Sequence, residues 1–188
     1  MKNLRLKSDK LRFKYVNKYL KGKKILDIGS SEGNLHLLLV KNNKDKKFYT
    51  LDLKDADYNI NLERPKKINK KFDTIIAGEI IEHLENPMSF IQYCKSLLKQ
   101  NGRLILTTPN ATGIQYILNP GWCVNYEDYS GHKQAFTIEM IKRIFLEEKF
   151  KLIYTDYINA FWIKNPLEYV SLFIKRIRPD MIIVGDKV

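Results

Sequence analysis

The stretch KKILDIGSSEGNLHLLLVK, residues 23–41, decides the fold. Its first half is a short apolar run that ends in glycine, the signature of a strand buried on both faces of a parallel sheet. Its second half, residues 33–41, reads as a helix. Between them lies Asp27-Ile-Gly29-Ser-Ser31-Glu-Gly33. Glycine permits positive φ and lets a ligand approach the backbone closely. The helix that follows offers unpaired N–H groups at its start. The dinucleotide fingerprint G-x-G-x-x-G would need glycines at 31 and 34, where this chain has Ser31 and Asn34.

Working outward, the same alternation repeats. Residues 9–21 read as a helix. KFYTLDL, 47–53, is a second strand, and FDTIIAG, 72–78, another, with a short strand near 58–61 in the polar stretch between them. The spacing predicts an amphipathic helix over 85–102, with Pro87 in its first turn and Gly102 at its end. RLILTTP, 103–109, is a strand stopped by proline. Residues 110–136 form a long segment rich in Trp, Tyr, Asn and Gly. A helix over 137–149 has Thr137 as its N-cap. Strands at 150–158 and 180–187 enclose a helical stretch, 164–178. Alternating strands and helices imply an α/β protein: one domain over residues 1–188, its parallel sheet covered on both faces. Ligands in such sheets bind beyond the carboxyl ends of the strands, at the switch point. The loops that matter are therefore 29–33, 52–53, 78–83 and 109–136. Asp52 closes the second strand about 20 residues after the glycine turn, where an acid can bind ribose hydroxyls. The alternative for Asp52 is a cap on a helix or a turn.

Composition narrows the class. The chain has 188 residues, 44% hydrophobic and 29% charged, as in an ordinary soluble domain with a sizeable core. The polar, basic start does not read as a signal peptide, and no apolar run approaches the length of a membrane span. Cys94 and Cys123 show no metal spacing and no disulfide framework, which fits a reducing cytoplasm. The balance of 33 Lys+Arg against 21 Asp+Glu gives a net charge of +12. Its lysines are dispersed, so composition bias explains it better than a nucleic-acid footprint, which would be a patch.

ILDIGSSEGNL, LDL, FDTIIAGEIIEHLENP and NGRLILTTPN, in this order, resemble the class I S-adenosylmethionine-dependent methyltransferases, most of all the branch of the ubiquinone-biosynthesis O-methyltransferases. The resemblance covers residues 22–158, the core. It implies a Rossmann-like, mostly parallel seven-strand sheet with an antiparallel last strand, and S-adenosyl-L-methionine as cofactor. By that likeness Gly29, Ser31 and Gly33 lie under the methionine and ribose, and Asp27 near the amino group. Asp52 holds the ribose hydroxyls and Leu53 lies against the adenine. Asn61 and Leu62 sit by the adenine edge, and Gly78 and Glu79 at the methionine end. Where the family has its middle glycine this chain has Ser31, small enough for close approach but less suited to left-handed geometry.

GEIIEHLENP, 78–87, places Glu79, Glu82 and His83 at offsets of three and four, which on a helix is one face. This acid–histidine cluster can be structural, tying down its loop. It can also be a metal site: together with His132 in SGHKQAFT, it resembles the divalent-ion site of the ubiquinone-pathway enzymes and of the small-RNA 3′-terminal 2′-O-methyltransferases. The latter also carry a TPN segment before the distant histidine. Two carboxylates and two imidazoles suit Mg²⁺ or Mn²⁺ better than thiolate-seeking metals. Without a metal, His132 or His83 is the candidate general base, since the acceptor hydroxyl must lose its proton. His36 reads as a helix-surface residue. The segment 110–136, with Tyr116, Trp122, Tyr126 and Tyr129, reads as a lid over the acceptor or else as a satellite apolar cluster. The stretch 164–178 is expected to pack on the domain, with a membrane-surface or dimer role as the lesser alternative. The expected activity is methyl transfer to an oxygen of a small molecule. The alternatives are an RNA 3′ end as acceptor and a cofactor-binding partner protein without turnover.

Overall fold

The computed structural model describes residues 2–30, 34–118, 131–159 and 169–188, residues 2–8 by their backbone alone. In chain order the elements are α1 (Lys2–Tyr19), β1 (Lys24–Ile28), α2 (Asn34–Asn42), β2 (Lys47–Asp52), β3 (Tyr58–Asn59) and β4 (Phe72–Gly78). They continue with a 3₁₀ turn (Ile81–His83), α3 (Pro87–Leu97), β5 (Leu98–Pro109), α4 (Ile114–Leu118) and α5 (Ile138–Glu147). The last are β6 (Phe150–Ile158), α6 (Val170–Phe173), a 3₁₀ turn (Lys175–Ile177) and β7 (Asp180–Lys187).

The seven strands form one sheet in the order β3-β2-β1-β4-β5-β7-β6. All neighbours up to β5 are parallel, and β7 runs antiparallel to both β5 and β6. The expected fold is thus found, with its switch point between β1 and β4. Strand alternation divides the core between the two faces. Ile25, Ile76, Ile105, Ile182 and Val184 point toward Val16 of α1 and Leu35 and Leu39 of α2. Leu26, Ile75, Leu104 and Ile183 point toward Phe90 and Ile91 of α3 and Ile141 and Phe145 of α5. Each such side chain, fully buried, contributes roughly 1.5–3 kcal/mol.

Three boundaries differ from the sequence expectation. First, α3 ends at Leu97, not at Gly102, because Leu98 is buried and already pairs with Phe72 of β4. Asn101 then turns the chain with φ 58. Second, Glu79, Glu82 and His83 do not share a helix face. Glu79 has φ 56, and helical turning begins only at Ile81. Third, 164–178 is not one helix. Residues 164–168 lie outside the described residues, and α6 stops at Phe173. Asn110 and Thr112 donate to the Arg176 carbonyl, and Asn110 also to that of Arg178, which draws the backbone out of helical pairing. Phe173 is 86% exposed rather than packed on the domain.

Candidate active site

The C-terminal ends of β1, β2 and β4 surround a cavity of about 300 Å³ lined by Gly29, Asp52, Leu53, Asn61 and Leu62, five of the expected cofactor residues. Gly29 adopts φ 75, and a Cβ there would lie 2.2 Å from Cδ1 of Ile80, so only glycine fits the turn. Its N–H donates to the Leu51 carbonyl. Asp52 ends β2. Its Oδ1 accepts from the Leu53 N–H at 2.7 Å, which fixes the carboxylate at the cavity wall. Leu53 is an exposed apolar side chain, a platform for a flat ring. Asn61 closes an Asx turn by accepting from the Glu63 N–H. Ser31 and Gly33 lie outside the described residues.

Asp27, Gly78 and Glu79 do not line this cavity. Asp27 is buried near the end of β1, and its Oδ2 is 2.9 Å from Nδ1 of His36. His36 is therefore not a mere surface residue. Burial pushes the Asp27 carboxyl above its ordinary range, with His36 pulling the other way. Gly78 ends β4 beside Thr107. Glu79 accepts from the Thr107 hydroxyl at 2.9 Å and pairs with Arg12 of α1 at 3.5 Å.

The structure does bring Glu82, His83 and His132 together: one ligand atom from each lies within 4.8 Å of the others. Glu82 is 1% exposed. Its Oε2 accepts from the Thr108 hydroxyl at 2.8 Å, and its buried Oε1 has no hydrogen-bond partner among the described residues. His83 Nε2 stands 4.0 Å from that oxygen. The His83 and His132 rings meet edge to face at 4.8 Å, and the Tyr116 hydroxyl lies 3.2 Å from His132 Nδ1. His132 is held there by its neighbours. The Lys133 and Gln134 N–H groups donate to the Glu82 carbonyl, and the Gln134 side chain donates to the Leu84 carbonyl. Burial, then the charge of His83, lowers the His132 pKa to about 4, so its ring is neutral at physiological pH. Burial, then the charge of Glu79, pushes Glu82 well above the carboxylate range. An orphaned buried oxygen beside two imidazoles is a fitting donor set for a divalent ion, which would displace the proton from Glu82. His83 also lines the cavity, so the two sites share a wall.

Sequence reasoning missed Arg12, Asp180, Thr107, Thr108 and Lys133. Arg12 is largely buried and faces the charges of Glu79, Asp180, Asp9 and Glu82, which keep it protonated despite its burial. The two threonines are the polar interruption in the apolar strand RLILTTP, a signal that was available. Lys133 pairs with Glu63 and Glu85 across the cavity rim. Of the expected lid, Tyr116 reaches His132, while Trp122, Tyr126 and Tyr129 lie outside the described residues.

A parallel sheet reversed only at β7, with its cavity at the switch point, is the architecture of the class I S-adenosylmethionine-dependent methyltransferases. Residues 5–155 match the family model described as a methyltransferase domain, and the chain belongs to that family. Over 49 residues, 26% of this chain, it is 49% identical to the ubiquinone biosynthesis O-methyltransferase of Glaesserella parasuis serovar 5 (strain SH0165). The match takes in 21% of that relative, so the chain spans about a fifth of its length. A SAM dependent methyltransferase from Archaeoglobus fulgidus superposes with a TM-score of 0.67 at 19% identity, over 98% of this chain and 94% of the other. The cyclase SpnF superposes with a TM-score of 0.68 at 12% identity, over 95% and 80%. Since a cyclase shares it, the fold alone does not name the reaction. Among the described residues no helix is long and apolar enough to cross a membrane.

Proposed function

We propose that the chain transfers a methyl group from S-adenosyl-L-methionine to an oxygen of a small-molecule acceptor, beside a divalent ion held by Glu82, His83 and His132. The observation that carries this reading is His83, which belongs both to the cavity wall and to the cluster around the orphaned Glu82 oxygen. A cation there lies next to the cofactor. When bound, the cofactor supplies a methyl already activated as a sulfonium, and the ion supplies positive charge that draws an acceptor hydroxyl toward its anion.

The chain's own residues do the rest. Asp52 receives the ribose hydroxyls, and Leu53, Ile60 and Leu62 cover the adenine. Asp27 faces the ammonium. Glu79 is engaged by Arg12 and Thr107, which leaves one carboxylate and two imidazoles as ligands. That N₂O set favours Mn²⁺ over Mg²⁺, which prefers oxygen alone. Neutral His132 also stands ready to take the acceptor's proton if no ion is bound. The likeness to a ubiquinone-pathway O-methyltransferase supports a small acceptor over RNA.

The test is methyl transfer to a catechol in EDTA, then with Mn²⁺ or Mg²⁺ restored, alongside Mn²⁺ binding by electron paramagnetic resonance. The expected result is activity lost to chelation and regained best with Mn²⁺. Activity indifferent to chelation, with no bound Mn²⁺ signal, would leave the cluster structural.

A further inference from the structure

We infer that His36 is a positioning residue for the cofactor: its Nδ1 holds the Asp27 carboxylate in the orientation that receives the cofactor's ammonium group. The inference rests on the reading above that Asp27 lies at the amino end of the bound cofactor.

Asp27 occupies the next-to-last position of β1, between Thr50 of β2 and Ile76 of β4, and is 4% exposed. A carboxylate so placed needs a partner. The partner comes from the first turn of α2, where side chains lean back toward the N-terminus and so toward the end of β1. His36 is fixed in turn, edge-on to Phe48 of β2 at 6.0 Å. An ionised carboxylate only accepts, so the proton of this hydrogen bond sits on Nδ1. Among the described residues, the charged groups that act on His36 are Asp27 from β1 and Asp57 from the loop before β3. From α1, Asp9 turns to Asn34 at the start of α2. Asp52 of β2 acts on Asp27.

One carboxylate is thus shared between an imidazole and an ammonium. While His36 is neutral, Asp27 keeps its full negative charge for the cofactor. Once His36 is protonated, the pair is internally neutral and the pull on the ammonium falls. The hydrogen bond to Asp27 raises the His36 pKa above the ordinary imidazole value. Affinity for the cofactor product should therefore rise as pH rises through the His36 titration. By linkage, a bound ammonium should lower the His36 pKa.

The experiment is calorimetric binding of S-adenosylhomocysteine between about pH 5.5 and about pH 8.5, with His36 followed by NMR. Wild type should gain about fivefold or more in affinity across that range, and saturation should lower the His36 titration midpoint. His36→Asn places an amide donor near the Nδ1 position without titrating. It should bind nearly as well as wild type at high pH and lose that gain. His36→Ala should bind about tenfold more weakly at high pH. A His36→Asn profile with the wild-type slope, or a His36 midpoint unmoved by ligand, would overturn the inference, and both readouts stand even if His36→Ala does not fold. Asp27→Asn separates the two readings. If it binds like wild type, Asp27 does not face the ammonium and the cofactor placement is wrong. If it binds weakly while His36→Ala binds normally, only the role of His36 fails.

Discussion

Asp52 carries the simplest prediction at the scale of single residues. Its side chain is fixed at the cavity wall, and a charge-assisted hydrogen bond contributes about 1.5–3 kcal/mol. Asp52→Ala should therefore weaken S-adenosylhomocysteine binding at least about tenfold by calorimetry, and equal affinity would remove Asp52 from the site. A second contrast separates the two glutamates. Glu82→Gln should lower Mn²⁺ affinity, whereas Glu79→Gln should leave it nearly unchanged, since Glu79 is engaged by Thr107 and Arg12. Equal losses would return Glu79 to the ligand set. Glu82, His83 and His132 were legible because residue type and order sufficed to mark them. The departure of Glu79 was not, because nothing in GEIIEH announces a left-handed backbone at a glutamate. Arg12 was hidden for another reason: it is one of many cations in a polar helix, and only tertiary structure puts it beside Glu79, Glu82 and Asp180.

At the scale of elements, the turns that aim the strands carry the strain. Gly22 links α1 to β1 with φ 69, and a Cβ there would lie 2.3 Å from Cβ of Asp73, whose Oδ2 accepts the N–H groups of Lys23 and Lys24. Gly22→Ala should cost at least roughly 1–3 kcal/mol in urea unfolding for the backbone alone. Asn86 caps α3 by accepting from the Ser89 N–H at 2.9 Å, and Asn86→Ala should cost about 1 kcal/mol. Unchanged midpoints in either variant would show that these turns are not fixed as described. The interior elements were readable because continuous apolar runs mark strands buried on both faces and helical apolar spacing marks the helices. Their ends were harder. Pro87 and Thr137 marked helix starts correctly, but Gly102 misled: the chain leaves α3 at Leu97 so that Leu98 can join the core beside Phe72. The breakdown of 164–178 depends on Asn110, 66 residues before Arg176, and no local pattern encodes it.

Across the whole molecule, charge sets two expectations. Asp186 lies partly buried, but its paired bonds to Arg103 at 2.7 and 2.9 Å, with Lys21 at 3.2 Å, hold its carboxyl below the ordinary range. A depressed folded pKa contributes stability that is present above the unfolded value near 3.9 and lost as pH falls through the folded one. Asp186→Asn should thus destabilise the protein at neutral pH, and the gap to wild type should close in acid. A gap independent of pH would mean that packing, not charge, is at stake. The net charge of +12 should give weak RNA binding that salt abolishes, as nonspecific phosphate contacts do. Tight binding that survives physiological salt and needs a free 3′ end would favour an RNA acceptor. The parallel sheet followed from the alternation of elements and its antiparallel last strand from the family resemblance, whereas the Lys133 and Gln134 bonds that hold His132 beside Glu82 and His83 are shown only by the folded chain. The most direct test of the proposal that a cation site adjoins the cofactor site is a crystal grown with S-adenosylhomocysteine and Mn²⁺, measured at the manganese edge. One anomalous peak is expected, bounded by Glu82, His83 and His132, with the ligand's ribose on Asp52 and its sulfur facing the ion. Ligand density elsewhere, or no peak among those three side chains, would contradict it.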